Sequence, residues 1–424
     1  MKATPIKTGC FPKLFEGQLP RIQNLVSSND LDRRKLALSN FIKTGIPTTR
    51  NEAWKYTSLR PLTELDLSIA DKIPTLLDQQ IAEFVLGNAT TVVFVDGVLA
   101  TEIPRLSGLE KGLSLKSISE HKSIGDDGKT NSFSSLNAAF ATNGISITVA
   151  KETNIETPIQ IIHVTASNNH AGFVRNRVRV GLGSKINLIE SFVTLDSEIL
   201  GGFQNSHLDM EIAESAVCKH VRIQTLGDSQ TDVSSIDAKL GKSATYKTFT
   251  FSSKGNITRN NLAISLQGGG AHTELLGLAV TKQKQHVDNF TYVDHQAANA
   301  TSRQVYAYVL NDSSRCVFTG KVDVQRDAQQ TAAFQLNKNL LLSEDAEVDT
   351  RPQLQIGADD VKCCHGATIG QLSSNEVFYL QTRGIKKPDA EFMLAHAFAN
   401  EVLMDCPIAI AKDRIQIHLN EYFQ

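Results

Sequence analysis

The segment DDVKCCHGATIG (359–370) crowds metal-ligating side chains into one short run: Cys363, Cys364 and His365, with Asp359 and Asp360 just upstream. Side chains alternate between the two faces of an extended strand, so Cys363 and His365 share one face and Cys364 points to the other. A thiolate beside an imidazole suits zinc or iron–sulfur chemistry. A closed tetrahedral site takes four ligands, and no C-x-x-C or second Cys/His pair lies nearby in sequence to supply them. The missing ligands must come from distant residues or from a second chain. Packing is the competing use of such a run. On that reading Cys364 is a small buried hydrophobe, Gly366-Ala367-Thr368 is a turn closing a β region, and Asp359 and Asp360 lie in a solvated turn.

The rest of the chain offers little competing chemistry. His163, His220, His272, His286 and His295 are dispersed among strand-like runs, and each is expected to be satisfied or exposed rather than a ligand. There is no G-x-x-x-x-G-K-[ST], so no ATP site of the P-loop type is expected on this chain, and LQGGGAH (266–272) lacks the strand–helix context of a dinucleotide loop. Neither H-E-x-x-H nor G-x-S-x-G occurs.

Composition narrows the class. Across 424 residues the net charge is −2 and charged residues make up 21%, which gives no basis for nucleic-acid or membrane-surface binding. Aromatic residues are 6%, with one tryptophan, Trp54, so the core is expected to consist of small and β-branched side chains. The start MKATPIKTGCFPKLFEGQLP has no apolar signal region, and the most apolar window, TTVVFVDGVLA (90–100), is about half a bilayer span. Six cysteines at 10, 218, 316, 363, 364 and 406 show no disulfide-framework spacing, so reduced thiols and a cytoplasmic location are expected.

Three elements must position the candidate site. An N-terminal helical and mixed region is expected over 1–140, with one helix capped by Ser28 or Asn29 and stopped at Gly45, another over 74–87, and a strand–turn–strand through Asp96-Gly97. From about 145, period-2 runs such as GISITVA, IQIIHVT and VRIQTL dominate, which predicts a β core over 141–370. Small residues recur at the start of strands, at Ser184, Ala216, Ala244, Ala271, Ser314 and Ala346, with gaps of 32, 28, 27, 43 and 32 residues. That recurrence favours a solenoid over a sandwich, with the long gap holding an insertion. A helical region over 371–424 follows, with Ser373 or Ser374 as a cap and stripes through Phe392, Ala395, Ala399 and Val402, then Ile408, Ala411, Ile415, Leu419 and Tyr422. Such a tail caps the solenoid or docks a partner.

With DDVKCCHGATIG, the stretches VFYLQTRGI (377–385), LNKNLLLSEDAEVDTRPQLQI (336–356) and TGIPTTRNEAWKYTSL (44–59) make the chain resemble the SufB/SufD family of scaffold subunits of the SUF iron–sulfur cluster assembly machinery, on its SufD side. The resemblance spans essentially the whole chain. It implies a mainly β fold, a right-handed parallel β-helix flanked by N-terminal α/β and C-terminal helical regions. It implies a non-enzymatic subunit pairing with a SufB-like paralogue, with a SufC-like ATPase on the C-terminal helices. It further implies a transient cluster at the paralogue interface, with ligands from both chains. By position, His365 is the implied ligand and Cys363 lies near the same interface, while Cys364 stands where the family often has serine. Trp54 to Thr57 carry no assigned chemistry. A carbohydrate-active β-helix is the alternative, and it would need clustered carboxylates, for which Asp294, Asp312 and Asp349 are the candidates. Unpaired solenoid edges would also permit a homodimer of the isolated chain.

Overall fold

Five strand starts, successive within one sheet and alternate along the chain, share one local geometry: a residue in the left-handed region, then a small, fully buried one. The pairs are Gly183–Ser184, Ser215–Ala216, Ser243–Ala244, Gly270–Ala271 and Asn299–Ala300. The left-handed residue reverses the chain, and the small residue after it is fully buried. In the glycine-rich run between two such strands, a Cβ on Gly268 would sit 2.0 Å from the Lys242 nitrogen of the previous coil. The glycine at this position makes room for a solenoid corner.

The computed structural model describes residues 7–70, 78–101, 109–118 and 131–423. Each coil gives one strand to a ten-stranded sheet and one to a nine-stranded sheet, and neighbours within each sheet are parallel except at the first coils. Register partners in the larger sheet, Lys185, Val217, Thr245, His272, Thr301, Ala332 and Lys362, recur every 27–32 residues. The long gap therefore holds no insertion. Ala300 is the missed corner of the series, while Ser314 and Ala346 begin Arg315–Val324 and Glu347–Ile356 in the other sheet, at the opposite corner.

Upstream, the sheets begin before residue 141. Thr90–Val95 joins the larger sheet and turns through Asp96 (φ 49°) and Gly97 (φ 77°) into Val98–Leu99, the mirror-type hairpin expected from Asp-Gly. The helix Ser28–Thr44 is capped by Ser27, whose hydroxyl accepts from the Asp30 N–H, one residue before the expected cap, and it ends at Gly45. Of the helix expected over 74–87, the start at Pro74 lies outside the described residues, and Asp78–Ala82 is helical.

Helices cover both broad faces. The N-terminal helices Phe11–Leu25, Ser28–Thr44 and Ser132–Phe140 bury Phe11, Phe15, Phe41 and Phe140 against Phe173 and Phe203, on the outer face of the smaller sheet. At the other side, Lys387–Leu403 and Ala409–Phe423 bury Ala395, Ala399, Val402, Ile415 and Leu419 on Ile189, Val221, Phe249, Leu276 and Val305 of the larger sheet. The tail lies along the flank of the solenoid and not over its end. No helix among the described residues is long and apolar enough to cross a membrane.

The Trp-Lys-Tyr-Thr stretch acts as a clasp between the N-terminal region and the smaller sheet. The Arg259 guanidinium lies 4.3 Å from the Trp54 ring centroid and pairs with Asp288. The Thr57 hydroxyl donates to Asp288 and lies 2.9 Å from His286 Nε2. Burial pulls the His286 ring down to about 4, which keeps it neutral in this clasp.

Candidate functional site

The last strand, Val361–Gly370, pairs with Thr331–Leu341 and has no partner on its other edge among the described residues. The same holds for Glu347–Ile356, which pairs with Arg315–Val324. Neither strand contains a buried residue, whereas every residue of Ile159–Thr165 is buried. The solenoid thus ends on two adjacent strands with bare hydrogen-bonding edges and an open cross-section. Side chains of interior parity emerge there, with Ile356 44% and Ile369 54% exposed.

Register fixes how the candidate ligands sit on this end. Cys363 is the partner of buried Ala333, and His365 the partner of buried Gln335, so both continue columns that line the interior. Cys363 packs partly against the core, and burial pushes its thiol up, favouring the neutral form. Cys364 is the partner of the outward-facing Phe334 and is exposed. The alternation expected of Cys363, Cys364 and His365 is present, but Cys364 is not a buried hydrophobe: a terminal strand on the outer face has no neighbour to cover it. Gly366, Ala367 and Thr368 are not a turn either; they continue the strand to Gly370. Asp359 and Asp360 are exposed in the preceding bend, as expected.

Several coils away from this end, toward the start of the solenoid, the interior holds a buried polar cluster. Glu190 sits with His220 Nε2 at 3.1 Å, His163 Nε2 at 3.5 Å and Arg222 Nε at 3.2 Å. Burial would raise the Glu190 carboxyl, but the two imidazoles beside it and the Arg222 charge outweigh it and hold the group well below the usual range. Arg222 also donates to Asn260 and Ser234, and Gln224 donates to Asp232. Burial pushes Asp232 up to about 7 against the pull of Arg222. His163 and His220, read as dispersed in the sequence, therefore meet on one carboxylate. No local motif announces this, because Glu190 and Arg222 are register partners one coil apart.

On the outer face of the smaller sheet, His207 Nε2 lies 3.2 Å from Asp209 and 3.0 Å from Asp237, while Arg175 forks the Asp209 carboxylate. It is the one trio of possible metal ligands among the described residues, and its charges are already matched by Arg175 and the imidazole. The three candidate carboxylates for a carbohydrate-active site each have local hydrogen-bond partners. Asp294 accepts from Gln296 and Gln325, Asp312 from the Gln283 N–H, and Asp349 is held by Arg315. Phe378 and Tyr379 on the helix Ser374–Thr382, Met393 on Lys387–Leu403 and Met404 at its C-terminal cap are exposed apolar side chains.

Comparison with known proteins agrees with this geometry. Residues 8–161 match the family model described as the SufBD protein N-terminal region, and 163–398 match that of the SUF system FeS cluster assembly SufBD core domain. The chain is 30% identical to the iron–sulfur cluster assembly protein SufD of Escherichia coli, over 86% of each chain. It is 29% identical to an iron–sulfur cluster assembly SufBD family protein of Synechocystis, over 95% of this chain and 94% of the relative. A SufBD family protein of Mycobacterium tuberculosis is 25% identical over 87% of each.

Proposed function

The chain belongs to the SufBD family of the SUF iron–sulfur cluster assembly system, and from that premise we propose that it is a scaffold, not an enzyme, whose bare end docks a SufB-like paralogue. The nascent cluster is the cargo of that interface. His365 supplies one ligand from this chain, Cys363 stands on the same face, and the paralogue supplies the rest. Neutral imidazole and thiolate both suit iron in such a cluster. A SufC-like ATPase binds the exposed apolar side chains of the C-terminal helices, and its hydrolysis cycle acts on the interface from the flank. The cytoplasm is the proposed location, and in the isolated chain the same bare edges offer themselves to a second copy.

The observation that carries this reading is the open end itself. Two edge strands with no buried residue present an incomplete Cys/His set where another chain can add both backbone hydrogen bonds and ligands. Co-expression of the tagged chain with the paralogue and the ATPase tests it. The expected result is a stable complex of all three, from which deletion of 374–423 releases the ATPase but not the paralogue. Failure to retain the paralogue would overturn the reading.

A further inference from the structure

Gln335 occupies the interior position directly behind His365. The two are register partners on neighbouring parallel strands, roughly 4.8 Å apart at the backbone, with side chains on the same face. Gln335 is fully buried, yet neither its Oε1 nor its Nε2 has a hydrogen-bond partner. A buried primary amide with both ends unpaired is costly and calls for an explanation. Its Nε2 faces the opposite sheet, where a Cβ on Gly320 would come within 2.8 Å of it, so the absence of a side chain at Gly320 leaves room for the amide. The next residue down the column, Gln304, accepts from the Thr291 hydroxyl and so keeps its own amide oriented.

We propose that Gln335 is the positioning residue of His365, its Oε1 accepting the ring N–H so that the other ring nitrogen presents its lone pair at the open end. This rests on the reading of His365 as a cluster ligand. An imidazole that ligates through one nitrogen holds its proton on the other, and an acceptor for that proton fixes both tautomer and ring plane. His365 is exposed and its strand has no outer neighbour among the described residues, so the neighbour placed to orient the ring is the interior residue of the previous coil, Gln335. Gln335 touches neither iron nor sulfide in this scheme; it acts through the histidine.

The test uses the full chain with ¹⁵N-labelled histidine, observed by long-range nitrogen–proton NMR at pH 8, with His365→Ala identifying the resonance. The parent is expected to show one dominant tautomer at His365. Gln335→Met, matched in volume but without an acceptor, is expected to return the ring to the mixture of a free imidazole, and Gln335→Glu to restore the single tautomer. In the reconstituted complex, Gln335→Met should lower cluster yield about tenfold and Gln335→Glu should not. An unchanged tautomer in Gln335→Met overturns the proposal, whatever the cluster yield. If the tautomer shifts but His365→Ala leaves cluster yield intact, Gln335 still positions the ring and it is the ligand reading that fails.

Discussion

At its first coils the solenoid finishes itself with short strands: Val98–Leu99 turns back antiparallel on Thr90–Val95, and Leu113–Ser117 runs antiparallel on Ile145–Val149. At its last coil Glu347–Ile356 and Val361–Gly370, ten residues each, keep one edge bare among the described residues and contain no fully buried residue. A protein that stays soluble usually shortens, twists or covers its edges. This chain does so at one end and not at the other, while its helices spend their apolar stripes on the two flanks. The open end is therefore not a weakly built part of the fold. Its strands keep full register with the previous coil, and only the next coil is missing.

The same substitution placed at each end should separate folding from assembly. Val92, fully buried in the first coils, tolerates no charge, and Val92→Asp is expected to cost at least about 4 kcal/mol, read from the urea midpoint of the isolated chain. Ile369, of the same interior parity at the open end, should behave differently. In the isolated chain Ile369→Asp is expected to change stability by no more than about 0.5 kcal/mol. Its effect should appear as at least a tenfold loss of affinity for the paralogue. Equal destabilisation at both ends would mean that the last coil is an ordinary part of the core.

Much of this was legible in the sequence. Period-2 runs marked the strands, and Ser373 and the stripe through Ala395, Ala399 and Val402 marked the closing helices, because each is a local signal that tertiary packing reinforces; Phe392, expected on the same stripe, is exposed. The alternation of Cys363, Cys364 and His365 was legible for the same reason. What remained hidden depends on stacking. Ser314 and Ala300 are both small corner residues, and sequence alone does not tell that they belong to opposite corners. Cys364 has the composition of a buried residue, but its exposure is set by the absence of a following coil. The Glu190–His163–His220 cluster and the Gln335–His365 pair arise from register between residues about one coil apart, which no window of neighbouring residues contains.

The polar interior gives the smaller, pH-dependent effect. Asp232 titrates at about 7 in the fold against an ordinary 3.8, so between those values the folded state binds a proton that the unfolded chain has released. Its contribution to stability is therefore present below pH 4, falls by up to about 1.4 kcal/mol per pH unit as pH rises through that window, and is flat above 7. Buried His286 and His295, each pulled down to about 4 by burial, act in the opposite direction between about 4 and 6.5. Asp232→Asn should thus make the slope of stability against pH more positive than in the parent between pH 4 and 7, in paired urea titrations. Parallel slopes would show that Asp232 is ionised in the fold throughout.

The most direct measurement of the central claim is cluster formation on the three-subunit complex carrying His365→Ala, followed by visible absorption and iron content after anaerobic reconstitution. The complex is expected to remain intact while its cluster yield falls to about a tenth or less of the parent value. A full complement of iron and sulfide on an intact His365→Ala complex would contradict it.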